Sequence, residues 1–245
     1  MIRLTRAELL KLRTTRAVYV LAGVALLFAG LTAVIVAVEE GLEEDRGLEL
    51  AQIVSLSTIL LLVVGILLTT NEYRHGTITT TFLVTPRRPR VLIAKLGAGA
   101  IGAVVFGLAV AAIAFGIAVP WLDGTGDEIP LDRQLLEGVG RLVASYMLSV
   151  LVGVAVGAIV QNQAGAIVAT FGWLFVAEPI LDVVVGLIVE GESPIGPYLL
   201  GSALGGVIGG DPDVLEGGWA LLLSCAYVAV LSGAGAAAMV RRDPI

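Results

Sequence analysis

Six long apolar runs set the main constraint on how this 245-residue chain can fold. An α-helix of about 20 residues rises roughly 30 Å, the thickness of the hydrocarbon layer of a bilayer, and each run is at least about that long. Hydrophobic residues make up 57% of the chain and charged residues only 15%, which is typical of polytopic membrane proteins. The sequence therefore predicts an all-α protein with a single transmembrane domain over 1–245, built around a six-helix bundle at 17–240. The predicted helices lie near 17–38, 50–70, 91–119, 139–160, 164–189 and 218–240.

Charges are segregated between the segments that flank these runs. Twelve of the fifteen lysine and arginine residues lie in 1–16, 71–95 and 241–245. Sixteen of the twenty-one acidic residues lie in the alternating segments 39–49, 120–141 and 190–217. Because basic segments stay on the cytoplasmic side, this pattern predicts a multi-pass protein of the cell membrane with both termini in the cytoplasm. The first segment, 1–16, is expected to be a basic cytoplasmic helix, and 241–245 a short cytoplasmic tail.

Small residues recur at every fourth position in four of the runs. Residues four apart share one face of a helix, and small side chains let helix backbones approach closely in a membrane. The sequence therefore predicts a compact bundle. The four sets are Ala25, Ala29, Ala33 and Ala37; Gly99, Ala103, Gly107 and Ala111; Ser145, Ser149, Gly153 and Gly157; and Cys225, Ala229, Gly233 and Ala237.

The acidic segment 190–217 also contains an apolar stretch. Residues 198–204 are apolar between Pro197 and the Gly209-Gly210-Asp211-Pro212 sequence. This stretch is too short to span a bilayer. It predicts a re-entrant or interfacial piece on the outer side, between the fifth and sixth helices.

The stretch 72–95 stands out because it holds five basic residues and one acid between two apolar runs. Each Arg or Lys at the centre of a membrane helix costs about 2.5–3.5 kcal/mol, so the stretch is predicted to lie in water, on the cytoplasmic side. Gly76 can end the preceding helix and Thr77 can cap a short new one. Thr85 followed by Pro86 has the arrangement of an N-cap and a first helical residue. A charged turn that only sets topology is the alternative.

Residues for catalysis are scarce. The chain has a single histidine, His75, and only two lysines, Lys11 and Lys95. No Gly-x-x-x-x-Gly-Lys phosphate loop is present, so the chain is not expected to hydrolyse ATP by itself. No metal site is predicted, and nucleic acid is not an expected partner because basic residues do not interleave with aromatic ones. The single cysteine, Cys225, is interpreted as a packing residue.

Two acids interrupt the fifth apolar run. Glu178 and Asp182 are four residues apart and so lie on one helical face. Glu178 lies 15 residues beyond Gln163, roughly 22 Å along a helix, in the predicted outer half of the membrane. Acids inside a membrane span are functional candidates by default. The alternative is that Pro179 ends the helix and both acids line an outer vestibule without a specific role.

These features together resemble the permease subunits of ABC-2 type transporters, the membrane proteins of bacterial ABC exporters. The resemblance rests first on the stretch between the second and third runs, through Glu72, Gly76, Thr77, Thr85, Pro86, Arg88 and Lys95. Supporting features are the basic start Lys11-Leu12-Arg13-x-Thr15-Arg16, the sequence from Trp173 to Glu178-Pro179, and Tyr198-Leu199 in the outer segment.

The resemblance implies a permease, not an enzyme, that pairs with a second permease subunit in a homodimer or heterodimer within membrane lipids. A separate ABC-type ATPase would bind ATP and Mg²⁺ and drive export, while this chain would bind no cofactor. The loop from Glu72 to Pro86, between the second and third helices, would be the cytoplasmic coupling helix that enters a groove on the ATPase. The residues it implicates are Glu72, Arg74, His75, Gly76, Thr77, Thr80, Phe82, Thr85, Pro86, Arg87 and Arg88.

A second hypothesis is an ATP-independent carrier or channel. It would use Glu178 and Asp182 for ion coupling and would need no ATPase.

Overall fold

The computed structural model describes residues 2–38, 55–125, 133–189, 191, 193–209, 215 and 217–241. Within these ranges the chain is helical and contains no β-strand, as predicted. The α-helices are α1 (Ile2–Thr14), α2 (Arg16–Val38), α3 (Ser55–Arg74), α4 (Ile78–Val84), α5 (Arg88–Thr125), α6 (Arg133–Val160), α7 (Gln163–Gly172), α8 (Glu178–Val189), α9 (Leu200–Gly206) and α10 (Gly217–Arg241). A π-helical segment, Trp173–Ala177, joins α7 to α8, and a 3₁₀ turn, Gly196–Tyr198, precedes α9.

Four stretches among the described residues are long and apolar enough to cross a membrane. They are Arg88–Ile113, Leu136–Val160, Gln163–Val189 and Gly217–Arg241. A fifth is counted if α1 and the start of α2, which meet at 70°, form one bent span. The predicted second run corresponds to α3, which is not among these four. The structure thus supports a multi-pass membrane protein, and six spans stay a prediction.

The predicted basic N-terminal helix is present as α1. It meets α2 at 70° across Thr15, so the two helices are separate rods rather than one continuous helix. The N–H of Val18 donates to the carbonyl oxygen of Thr15 at 3.1 Å at this junction.

The centre of the bundle is the crossing of α3 and α6. At the crossing Gly65 and Gly153 face each other so closely that a methyl group on Gly153 would clash with the carbonyl oxygen of Leu62. The Thr69 hydroxyl donates to the carbonyl oxygen of Val154 at 3.2 Å across the same interface. Because membrane helices gain from close packing more than from apolar burial, these glycines explain why α3 and α6 pack so closely.

Three of the four predicted small-residue faces are borne out where the structure describes them. The members in α5 and α6 are all buried, and in α2 Ala25 and Ala29 are 0% and 2% exposed. Ala33 and Ala37 lie outside the described side chains. The fourth face is wrong: Cys225, Ala229, Gly233 and Ala237 are exposed. Helix α10 instead turns a different face inward, the one that carries Ala220, Ser224, Gly235 and Met239.

Two ends of the bundle are named here for use below. The loop end is where residues 75–87 join α3 to α5, and the far end is opposite, where α8 stops and α9 begins. The predicted short apolar piece is present at the far end as α9, with Leu200, Ala203 and Leu204 buried. Ser145 of α6 donates to the carbonyl oxygen of Leu204 at 3.0 Å. The Tyr227 hydroxyl of α10 donates to the backbone carbonyl oxygen of Tyr198 at 2.9 Å. The piece is therefore bonded to two long helices, α6 and α10.

Candidate functional site

The predicted coupling loop consists of a turn and the short helix α4. Gly76 has a φ of +67°, the left-handed region that glycine favours, so the predicted end of the preceding helix is confirmed. Thr77 precedes α4 as predicted, but its side chain makes no capping hydrogen bond. Its backbone carbonyl instead accepts the Thr80 hydroxyl at 2.7 Å and the Thr81 N–H at 3.2 Å.

The predicted helix start at Thr85-Pro86 is wrong. The N–H of Thr85 donates to the carbonyl oxygen of Thr81 at 2.9 Å, so Thr85 ends α4. Helix α5 begins at Arg88 and has Pro89 in its first turn, where a missing N–H breaks no helical hydrogen bond. The sequence thus offers two prolines that could start a helix, and the second one does so.

Helix α4 exposes its apolar tip. Ile78, its first residue, is only 2% exposed and anchors the helix to the bundle. Leu83 and Val84, at its other end, are 83% and 84% exposed. Two neighbouring apolar side chains that project from an exposed loop are typical of a protein contact site.

Two arginines tie this loop to helices that are distant in sequence. Arg74 Nη1 donates to Gln163 Oε1 of α7 at 3.1 Å. Arg88 Nη1 donates to the carbonyl oxygen of Met239, near the end of α10, at 2.7 Å. The Arg88 guanidinium also lies 5.1 Å from the centre of the Phe82 ring, in cation–π geometry. Arg88 therefore connects α4 to the last turns of α10, whose final carbonyls lack helical partners.

A cluster of four charges lies directly behind the loop. Lys95 Nζ lies 2.9 Å from Glu8 Oε2, 3.1 Å from Glu72 Oε1 and 3.0 Å from the carbonyl oxygen of Leu68. Lys11 Nζ lies 2.6 Å from Glu8 Oε1 and also contacts Glu72. Two acids and two bases thus balance, and they join α1, α3 and α5. We refer to Glu8, Lys11, Glu72 and Lys95 as the ion-pair cluster.

The ion-pair cluster corrects the prediction that the whole stretch 72–95 lies in water. The side chains of Lys95 and Glu72 are 0% and 8% exposed. Burial is possible because each charge has an opposite charge within hydrogen-bonding distance, which offsets the loss of hydration. Burial lowers the pKa of Lys11, but its bonds to Glu72 and Glu8 together outweigh this, so the pKa is raised above 10.5 and Lys11 stays charged at neutral pH.

The remaining predicted loop residues surround the turn and α4. Glu72 alone among them is buried. Phe82, Thr85 and Arg88 are half-buried, and the exposed members are Arg74, His75, Gly76, Thr77, Thr80, Pro86 and Arg87. The His75 ring Nδ1 lies 2.8 Å from the carbonyl oxygen of Asn71, so this side chain folds back on its own helix.

The two predicted intramembrane acids lie far from this loop. Glu178 and Asp182 are on one face of α8, as predicted, and both face the segment that contains α9. Glu178 is 6% exposed; its Oε1 accepts the Trp173 indole N–H at 2.6 Å and its Oε2 the Gly201 N–H at 2.9 Å. Pro179 does not end the helix, since α8 runs on to Val189.

Asp182 borders an open cleft. The cleft has a volume of about 540 Å³ and is lined by Asp182, Val183, Gly186, Leu187, Gly191 and Ser193. A methyl group on Gly196 would clash with Asp182 Oδ1, so this carboxylate rests against the chain just before α9. The two acids of α8 therefore sit in different surroundings, Glu178 enclosed and Asp182 half-exposed. No group of three His, Cys, Asp or Glu residues in the described ranges could hold a metal ion.

Three members of the ion-pair cluster, Glu8, Lys11 and Lys95, are not among the predicted site residues. A signal for them exists in the sequence, because the only two lysines of the chain both belong to the cluster. Each of the two long basic segments also contains a single acid, Glu8 in one and Glu72 in the other. A lone acid in a basic segment is better placed for an ion pair than for a topology signal.

A family model described as ABC-2 family transporter protein matches residues 4–177. The match includes α1, the ion-pair cluster, the loop and α4, and it stops one residue before Glu178. No curated protein matches the chain.

Proposed function

Since the chain belongs to the ABC-2 family of transporter proteins, it is a membrane component of a transporter, and we propose that it is the permease subunit of an ATP-driven exporter. In this proposal a separate ABC-type ATPase docks on α4 and a second permease subunit completes the transport path. The observation that carries the proposal is the loop end: a short helix with an exposed apolar tip, fastened to several long helices.

The tip of α4 supplies the contact. Leu83 and Val84 are more than four-fifths exposed, and burying such side chains contributes about 1.5–3 kcal/mol each. The exposed arginines Arg74 and Arg87 lie before and after α4 in the chain and add charge that can orient a partner. A groove in the ATPase subunit that accepts two aliphatic side chains fits this surface.

The links behind α4 supply the transmission. A movement of α4 passes to α10 through Arg88, which contacts Phe82 of α4. Next to the loop, the bond from Arg74 to Gln163 joins the end of α3 to α7. At the same place Glu72 joins α3 to α1 and α5 through the ion-pair cluster. Because packed helices shift as rigid bodies rather than deforming, a displacement of this loop is expected to move these helices together. ATP and Mg²⁺ would be bound by the partner ATPase.

Purification of the tagged chain from its native membrane tests the docking. We expect an ATP-hydrolysing subunit to co-purify with the wild-type chain. With the double variant Leu83→Ser, Val84→Ser, the co-purified ATPase activity should be at least tenfold lower than with the wild-type chain, although the variant inserts normally into the membrane. Leu187→Ser is the matched control, since Leu187 is 75% exposed but lies near the far end of α8; it should retain the ATPase.

Two results would contradict the proposal. One is normal co-purification with the double Ser variant, which would exclude α4 as the docking helix. The other is substrate movement in vesicles that contain this chain without any ATPase, which would favour the carrier hypothesis.

A further inference from the structure

Each oxygen of the Glu178 carboxylate has a hydrogen-bond donor from its own chain. Both oxygens accept hydrogen bonds, from the Trp173 indole and from the Gly201 backbone, and the residue is 6% exposed. A carboxylate buried in this way is poorly placed to bind a cationic substrate, because little of it is open to an incoming group. Its geometry instead matches that of a side chain that fixes another element.

The π-helical segment explains how Trp173 reaches Glu178. Residues five apart lie about 140° from each other around a regular α-helix, on different faces. In the π-helix Trp173–Ala177 the turn is wider, and the Glu178 N–H donates to the carbonyl oxygen of Trp173. This brings the indole over the carboxylate of Glu178. π-Segments of a single turn are frequent at functional sites.

Gly201, whose backbone N–H donates to Glu178, lies close to the carboxylate. Gly201 is the second residue of α9, where a backbone N–H has no partner within the helix. A methyl group on Gly201 would lie 2.7 Å from Glu178 Oε2, so an alanine at this position would push the carboxylate out of its present place.

The rest of the segment is anchored elsewhere. Tyr198 and Leu204 are bonded to α10 and α6 through their carbonyl oxygens. Helix α8, in contrast, is largely exposed: Val183, Leu187 and Ile188 are 61%, 75% and 74% exposed. Glu178 therefore joins a loosely packed helix to a piece that is fixed on the bundle.

We propose that Glu178, with Trp173 and Gly201, forms a clamp that holds α8 against the segment 193–209 and closes the far end of the bundle, and that the transport cycle opens this clamp. Glu178 is in this view a positioning residue. The opening step rests on the proposed function, whereas the clamp itself does not.

The clamp is tested by thiol labelling of purified protein. Cys225 is the only cysteine, so a Cys225→Ala background is free of thiols, and Ser202→Cys then reports on the half-buried residue next to Gly201. In Glu178→Gln one oxygen becomes an NH₂ group, which faces an N–H donor whichever way the amide turns. Leaving a buried donor unpaired predicts labelling that is faster by roughly tenfold.

Matched substitutions separate the clamp from general damage. Gly201→Ala and Trp173→Phe should also accelerate labelling. Gly205→Ala is the control for the first, because a methyl group there has nothing within 4 Å, and the exposed Trp219 provides Trp219→Phe for the second. Both controls should label at the wild-type rate. Unchanged labelling in Glu178→Gln and Gly201→Ala would overturn the clamp, as would equal acceleration in the controls.

The opening step is tested in the complex purified with its ATPase. Adding Mg-ATP should raise the labelling rate of Ser202→Cys toward the rate of Glu178→Gln. It should have little further effect in the Glu178→Gln variant, whose clamp is already open. Labelling that does not respond to Mg-ATP would refute the opening step. Absence of any ATPase from the purified complex would instead refute the proposed function. The clamp would then be decided by the labelling rates measured without ATP.

Discussion

Lys95→Met tests how much the ion-pair cluster stabilises the loop end. The Lys95 side chain is 0% exposed, and its ammonium group has three acceptors within 3.1 Å. Methionine keeps the apolar stem but removes all three bonds, so two buried carboxylates, Glu8 and Glu72, are left to share Lys11. Removing one partner of a buried ion pair costs about 3–5 kcal/mol, and the free energy of unfolding should fall by that amount.

Two further substitutions calibrate this value. The Lys11 side chain is 44% exposed, so water can replace part of what Lys11→Met removes, and a smaller loss of about 1 kcal/mol is expected. Arg90 is exposed at the start of α5. Arg90→Met removes a positive charge from the same helix without touching the cluster and should change stability by less than about 0.5 kcal/mol.

Unfolding in SDS, followed by tryptophan fluorescence, provides the free energies. Combining Lys95→Met with Glu8→Gln restores charge balance between Lys11 and Glu72, so the double variant should be more stable than the sum of the two single losses predicts. A loss below 1 kcal/mol for Lys95→Met, or strict additivity with Glu8→Gln, would show that the cluster does not stabilise the fold as described.

Two other predictions concern packing and topology. Gly153→Ala would press a methyl group against the carbonyl oxygen of Leu62 and should lower the free energy of unfolding by about 1–3 kcal/mol. Gly172→Ala is the control, because it has open space around it and should leave stability unchanged. Equal effects of the two substitutions would refute the close crossing of α3 and α6. In a Cys225→Ala background, Arg87→Cys should resist an impermeant maleimide in intact cells and Glu43→Cys should react, because basic segments stay inside; labelling of Arg87→Cys from outside would invert the predicted orientation.

Sequence reasoning was most reliable where one residue type determines local geometry. Gly76 was predicted to end a helix, and its φ of +67° is the reason it does. The small-residue faces of α5 and α6 were predicted for a similar reason, because side-chain size alone decides how close two helices come. The face predicted on α10 was wrong because small residues are frequent in this chain, and spacing does not tell which of several such faces turns inward.

The sequence was least informative about charges. The insertion cost of a lysine, taken one residue at a time, places Lys95 in water. Lys95 can be buried because it pairs with Glu8, 87 positions away, and with Glu72. A pattern of neighbouring residues in the sequence therefore cannot predict its burial. The bond between Trp173 and Glu178 was missed for a different reason, since it requires a π-helical turn that regular helical spacing does not anticipate.

The two buried charge sites differ in the helices that they hold, and this difference bears on the direction of movement. At the loop end four full charges bind one another, and breaking such a group costs about 3–5 kcal/mol. At the far end one carboxylate accepts two bonds from neutral donors, and each hydrogen bond to a charged group contributes about 1.5–3 kcal/mol, so the two bonds together are comparable with the cluster. The difference lies in the packing around each site. The ion-pair cluster joins α1, α3 and α5, which also pack within the bundle, so a displacement applied at α4 is expected to carry these helices as one unit. The Glu178 clamp holds α8, which is largely exposed, so few other contacts oppose its separation, and the far end is where movement of the loop is expected to open the bundle.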